Sequence, residues 1–250
     1  MKGLILAAGQ GTRIRSAHGA HPKCLIAFNR SSWTIPDQQI NNLFMAGVRE
    51  IGIVVGYEKE QIIRHVRKYY PGLNDRFRFI ENPDFAETNN ICSLWLARDW
   101  LKGSSFVTLN ADVAFDPEIL PAALASAAPI TMIVDPVWRD ETMKVVIHGN
   151  RITRMSKQIT EAEFSATYIG VTVFHAGITG KLFERIGRLI ADGKKQVFFN
   201  AAVQELADSG VRVGYSDIGD LPWAEIDDPG DLAFARLYIF PRLAVADLAA

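Results

Sequence analysis

Leu4-Ile5-Leu6-Ala7-Ala8-Gly9-Gln10-Gly11-Thr12-Arg13-Ile14-Arg15, followed by Pro22-Lys23, is the stretch that decides the fold. Its first half is a short apolar run, which predicts a buried strand over Lys2–Ala8. It feeds directly into a loop with two glycines. Gly9 and Gly11 let a ligand approach the backbone, and the N–H groups exposed there can grip phosphate oxygens. Arg13, Arg15 and the proline-braced Lys23 add positive charge on the same segment. The spacing is not G-x-G-x-x-G, because position 14 is Ile, and it lacks the G-x-x-x-x-G-K-[ST] order of a Walker loop. A nicotinamide-dependent dehydrogenase is therefore a poor fit. A glycine turn with solvated basic residues remains the plain alternative for the loop taken alone.

Working outward, strand and helix patterns alternate, which predicts an α/β domain with a largely parallel sheet. Strands are expected at Glu50–Val55, Arg76–Glu81, Ser105–Asn110, Ile130–Asp135, Lys144–His148, Arg151–Met155, Tyr168–Phe174 and Val211–Asp217, with an edge at Trp223–Asp227. Helices are expected at Asp37–Ala46, Lys59–Tyr70, Asn90–Leu101, Asp116–Ala127, Gly177–Ala191 and Asn200–Asp208, and a last one from Asp231 to Tyr238. The chain past Pro241 is Ala-rich and reads as a frayed tail. There is no internal repeat, low-complexity tract or linker, so residues 1–250 read as one domain. Its halves are 1–115 and 116–250.

Composition narrows the partners. The 250 residues carry a net charge of −1, which argues against nucleic acid as the main partner. Cys24 and Cys92 are the two cysteines, too few for a disulfide framework or a zinc set, so a reducing cytoplasm is expected. Leu4–Ala8 is too short for a signal peptide, and no window reaches the ~18 apolar residues of a membrane span.

With its Pro-Lys, the opening stretch resembles the nucleotidyltransferases that join an NTP to a phosphorylated small molecule and release pyrophosphate. The likeness continues through Val54-Val55-Gly56-Tyr57, Leu109-Asn110-Ala111-Asp112, and Glu225-Ile226-Asp227 with Asp228-Pro229-Gly230-Asp231-Leu232. The run Thr88-Asn89-Asn90-Ile91-Cys92-Ser93-Leu94 is similar to the cytidylyltransferase branch that activates phosphocholine, inositol 1-phosphate or phosphonates. The resemblance implies a Rossmann-like three-layer fold with a mostly parallel central sheet. It also implies CTP and a small phosphorylated or phosphonate acceptor as substrates, and Mg²⁺ as cofactor. Association as a homodimer is a further expectation. UTP or dTTP with a sugar 1-phosphate is the alternative, and a non-catalytic nucleotide-binding module the second.

Several negative charges meet in such a reaction, so catalysis is mostly positioning and charge neutralisation. Arg13 and Lys23 are the expected catalytic cations. Asp112 and Asp227 are the expected metal ligands, hard oxygen donors of the kind Mg²⁺ takes; each taken alone also reads as a cap or turn residue. Asn110 stands where an acidic residue is common, and Arg30–Pro36 departs from the usual Gly-Lys-Pro-Leu run. The nucleotide is expected on Leu6, Ala7, Ala8, Gly9, Gly11 and Thr12, with Gly56, Tyr57, Asn82, Thr88, Asn89 and Ala111 around the base and sugar. Asn89 and Asn90 read equally as helix-cap residues. The acceptor is expected on Asn90, Ser93, Lys144, Tyr168, Trp223 and Glu225. Trp95, Trp138, Tyr168 and Trp223 are candidates for an aromatic box around a quaternary ammonium, or for plain core packing. No general base is assigned, because a phosphate dianion is already nucleophilic. His18 and His21 read as exposed loop residues, as do Lys194 and Lys195. Asp228 and Asp231 read as caps of the last helix.

Overall fold

A computed structural model describes residues 1–14, 21–28 and 33–243. Arg15, His18, Arg30–Ser32 and the tail after Leu243 lie outside the described residues. Strand β1 (Lys2–Ala7) is buried on both faces, and its residues alternate between two cores. Leu4 and Leu6 face one core; Ile5 and Ala7 face the other. β1 lies between β2 (Glu50–Val55) and β4 (Phe106–Asn110), and β3 (Phe77–Glu81) closes that side, all four parallel. The sheet continues on the far side through β9 (Ala166–Phe174), β6 (Ile130–Asp135) and β10 (Val213–Asp217). β9 runs antiparallel to both its neighbours, β4 and β6. A hairpin of β7 (Lys144–His148) and β8 (Arg151–Ser156) hangs from β9. One sheet thus draws strands from both halves of the chain.

Helices cover both faces, as a sheet apolar on both sides requires. One face carries α1 (Ile35–Met45), α2 (Lys59–Tyr69) and α5 (Ile119–Leu124). The other carries α3 (Asn90–Leu96), α4 (Arg98–Leu101), α6 (Ala176–Ala191) and α7 (Asn200–Asp208). The expected three-layer α/β arrangement with a mostly parallel sheet is what the structure has.

Four local differences have identifiable causes. The helix expected over Asn90–Leu101 breaks at Ala97, whose N–H turns to the Leu94 and Trp95 carbonyls, and the Arg98 guanidinium also donates to Trp95 O at 3.1 Å. The helix expected from Asp116 begins only at Ile119, because the Asp116 side chain turns back to accept from Glu118 N. The last helix, α8 (Pro229–Phe234), starts two residues early on a capping box of Asp228 and Asp231, then widens into a π-turn over Ala235–Ile239. Lastly, β5 (Val113–Phe115) was not anticipated: it pairs antiparallel with β11 (Trp223–Glu225) in a separate two-stranded ribbon.

That ribbon positions the site. Val113 pairs with Glu225, and Ile226 N donates to Asp112 O at 2.9 Å, so positions 112 and 227 flank the same backbone bond. From behind, Gln39 of α1 donates to the carbonyls of Asn110 and Val113 at 2.8 and 2.7 Å, and Asn42 donates to Phe115 O at 2.8 Å. A third core joins Ile14, Ile26 and Phe28 of the N-terminal loops to Ala224, Ile226 and Ile239. The glycine loop and the closing motif are packed together through it.

Candidate active site

β1, β2, β3 and β4 all end at one edge of the sheet, where ligands of parallel α/β sheets bind. A cavity of about 340 Å³ opens there. Leu6, Ala7, Ala8, Gly9, Gly11 and Thr12 form one wall. Gly11 has φ +59°, and a Cβ on it would stand 2.5 Å from the Lys23 Cβ. Only glycine lets the loop fold over Lys23 in this way. Gly56 and Tyr57 lie behind the wall. Tyr57 N donates to Ala8 O at 3.1 Å, and a Cβ on Gly56 would stand 2.8 Å from that oxygen. They brace the loop instead of lining the cavity.

The charged centre is built from both ends of the chain. Lys23 Nζ donates to Asp112 Oδ2 at 3.0 Å and to Asp227 Oδ1 at 2.5 Å. Arg13 Nη2 pairs with Asp227 Oδ2 at 2.8 Å. Burial alone would lower the Lys23 pKa, but the two carboxylates raise it well above the ordinary lysine value. Burial pushes Asp227 up; Lys23 and Arg13 outweigh it and hold the carboxyl below the usual aspartate range. Asp231 accepts from the backbone N of both Asp227 and Asp228, which ties Asp227 to the start of α8.

Glu225 was expected at the acceptor. The structure places it with Asp112 and Asp227, one oxygen of each lying within 4.8 Å of the others. Burial, then the charges of Asp112 and Asp227, pushes Glu225 up to about 8. Asp112 Oδ1 is buried without a hydrogen-bond partner. Three converging carboxylates and an orphaned oxygen are a donor set that suits a hard divalent cation.

The segment after β3 supplies another wall. Thr88, Asn89, Asn90 and Ser93 line the cavity, and Ala111 joins them from the turn after β4. Asn82 is buried beneath, donating to Thr88 Oγ1 and Ser93 Oγ at 3.2 Å each, so it positions lining residues without reaching the cavity itself. Asn89 also caps α3, accepting from Asn90 N at 2.7 Å. Asn90 Oδ1 accepts from Phe199 N at 2.9 Å and staples the start of α7 to this wall.

Two expected acceptor residues lie elsewhere. Lys144 is only 2% exposed; its Nζ sits 4.5 Å from the Trp138 ring and donates to Thr142 O. It is absent from the cavity lining, while its neighbours Thr142 and Met143, just before β7, belong to it. Trp223 is buried, its indole N–H donating to Asp135 Oδ2 at 2.7 Å under the Arg139 guanidinium. The aromatic box does not assemble: of Trp95, Trp138, Tyr168 and Trp223, only Tyr168 lines the cavity. Trp95 packs against Gly187 and Arg98, and Trp138 against Phe164 and Lys144. His21 pairs with Gln61 outside the lining. Residues not singled out beforehand do line it: Phe85, Lys157, Phe198 and Asn200. Lys157 follows directly on β8 and Asn200 begins α7, so strand-end and helix-start positions were the available signals.

The cavity at the carboxyl edge of the parallel sheet thus brings together a glycine loop, two cations and a carboxylate cluster. Residues 3–205 match the MobA-like NTP transferase domain, and the chain belongs to that family. A CMP-5'-(3-aminopropyl)phosphonate synthase of Streptomyces rubellomurinus is 28% identical over 243 residues, covering 92% of this chain and 37% of that protein. A CTP:phosphoglutamine cytidylyltransferase of Campylobacter jejuni is 24% identical over 256 residues, covering 93% of this chain and 98% of that one. The chain thus spans just over a third of the first relative and nearly all of the second. The inositol-1-phosphate CTP transferase from T. maritima superposes with a TM-score of 0.79 at 22% identity, over 98% of both chains, and shares the fold. No helix among the described residues is long and apolar enough to cross a membrane.

Proposed function

We propose that the protein transfers CMP from CTP to a small phosphorylated or phosphonate acceptor. One acceptor phosphoryl oxygen attacks the α-phosphorus, a new P–O bond forms, the bond from the α-phosphorus to the bridging oxygen breaks, and pyrophosphate leaves with that oxygen. The observation that carries this reading is the Lys23 ammonium held between Asp112 and Asp227 beside the Gly9–Gly11 loop, inside the cavity. Lys23 and Arg13 face the phosphates and neutralise charge that builds on them. Asp112 and Asp227, with Glu225 beside them, would hold Mg²⁺, which when bound adds a divalent charge to that neutralisation. Lys157 also lines the cavity, where it would meet an anionic acceptor.

The relatives support cytosine as the base, and the run Thr88-Asn89-Asn90 with Ser93 lining the cavity agrees with it. A base read by the backbone around Ala8 and Gly9 would be selected by its donor–acceptor edge and its size. A nucleotide panel read by pyrophosphate release tests the reading. Turnover is expected with CTP; turnover with UTP or dTTP and a sugar 1-phosphate, but not with CTP, would replace it with the sugar-nucleotide alternative. Failure to release pyrophosphate from any nucleotide in the panel would leave a binding module.

A further inference from the structure

Four asparagines line the cavity: Asn89, Asn90, Asn110 and Asn200. Three of these amides are engaged or sealed. Asn89 Oδ1 accepts from Asn90 N, Asn90 Oδ1 accepts from Phe199 N, and Asn200 Nδ2 is buried away from solvent. Asn110 differs. Its side chain makes no hydrogen bond among the described residues, and neither of its polar atoms is sealed. It offers the cavity a free donor and a free acceptor side by side.

The sheet places this amide. Asn110 ends β4, where it pairs with Leu6 of β1, and its carbonyl accepts from Gln39 Nε2 at 2.8 Å. The polar residues behind it on the same face are satisfied within the protein. Thr108 pairs with Thr172 across β4 and β9; Thr108 Oγ1 donates to Thr172 O at 3.3 Å, and Thr172 Oγ1 donates to Tyr168 OH at 2.9 Å. The next residue of β9 on that face is Gly170, with φ +86°. The register of β9 against β6 shifts here, between the pairs Met132–Thr172 and Val134–Tyr168. Such a bulge re-aims side chains beside a site. A Cβ on Gly170 would stand 3.1 Å from Asn110 Nδ2 and 2.9 Å from Val113 Cγ2, so glycine makes the room in which the amide lies.

The chemistry of an amide narrows what it takes. A phosphate oxygen would use Nδ2 alone and bring its negative charge against Oδ1. An ammonium would use Oδ1 alone and set its own donors against Nδ2. A hydroxyl is donor and acceptor in one group, and it or an adjacent pair satisfies both atoms. We propose that Asn110 is a specificity-determining residue whose amide hydrogen-bonds a hydroxyl of the reactants, on the ribose of the nucleotide or on the acceptor. This rests on the cytidylyltransferase reading above.

The test measures kcat/KM by pyrophosphate release in the wild type, Asn110→Ala and Asn110→Leu. The nucleotides are CTP and UTP with their 2′-deoxy and 3′-deoxy forms. The acceptors are 2-hydroxyethylphosphonate and inositol 1-phosphate, which carry an alcohol, and ethylphosphonate and phosphocholine, which carry none. Asn110→Ala should lose about tenfold on reactants that carry the contacted hydroxyl, one hydrogen bond's worth, and little on those that lack it. Sparing of a deoxynucleotide assigns the contact to the ribose; sparing of ethylphosphonate and phosphocholine assigns it to the acceptor. Asn110→Leu keeps the branched shape without the polar atoms and should repeat the pattern, which keeps the test alive if the alanine variant does not fold. Equal losses on every pair, or no loss on any, overturn the inference and leave the cytidylyltransferase reading standing. The expected pattern in the uracil series alone overturns that reading and keeps the inference; no turnover in either series overturns both.

Discussion

At Lys23 a single ammonium joins residues 89 and 204 positions away in sequence, Asp112 and Asp227. Lys23→Ala removes the cation proposed to face the phosphates and leaves Asp227 with Arg13 and Asp112 with no cationic partner among the described residues. A loss of about 10²–10³ in kcat is expected, the usual effect of deleting one charge-stabilising group, measured by steady-state pyrophosphate release. Cys24, its neighbour, behaves differently. Burial pushes its thiol up to about 12, so the reactive thiolate is scarce at pH 8. The native protein should resist iodoacetamide at Cys24, and the urea-unfolded protein should be alkylated there, as read by mass spectrometry of the peptides. The folded thiol keeps its proton. The stability this confers is therefore full below about pH 9 and is lost as pH rises towards 12.

Among the elements, α1 does more than cover the sheet. Its buried face is polar as well as apolar, and Gln39 and Asn42 satisfy carbonyls of the turn that carries Asp112. Gln39→Leu strands the carbonyls of Asn110 and Val113. A loss of about 1–3 kcal/mol in stability is expected, seen in urea denaturation, with a fall in kcat although Gln39 lies outside the cavity lining. This also marks where the sequence stops being readable. The strands Glu50–Val55, Ile130–Asp135 and Lys144–His148 follow from apolar runs between turn residues. β5 is three residues long, and its partner lies 110 positions away; no local pattern predicts a pairing that tertiary contact creates. The glycine loop, Lys23, Asp112 and Asp227 are legible because their chemistry is concentrated in short motifs. Lys157, Phe198 and Asn200 are not, since an ordinary lysine at a strand end and an asparagine at a helix start carry no motif. Lys144 and Trp223 were misplaced because tertiary partners hold them outside the lining: Lys144 sits over the Trp138 ring, and the Trp223 indole donates to Asp135.

For the whole molecule, the cavity draws on both halves of the chain, so a ligand filling it should stabilise the protein globally. CTP with Mg²⁺ at a hundred times its dissociation constant contributes about 2.7 kcal/mol. For a chain of this length that is a rise of roughly 5–10 °C in the unfolding midpoint, measurable by differential scanning fluorimetry. Asp227→Asn, which breaks the link to Arg13 and weakens the one to Lys23, should abolish most of that rise. EDTA should stop turnover, and added Mg²⁺ should restore it.

The same chelator should leave the midpoint of the ligand-free protein where it was. Lys23 and Arg13 act as built-in counter-ions for Asp112 and Asp227, so the chain can fold in metal-free medium. Where Mg²⁺ binds with the nucleotide, Asp112 and Asp227 would hold it, and the Lys23 ammonium would be freed to meet the phosphates. A site organised in this way ties metal affinity to nucleotide occupancy, and each should tighten the other by the same factor.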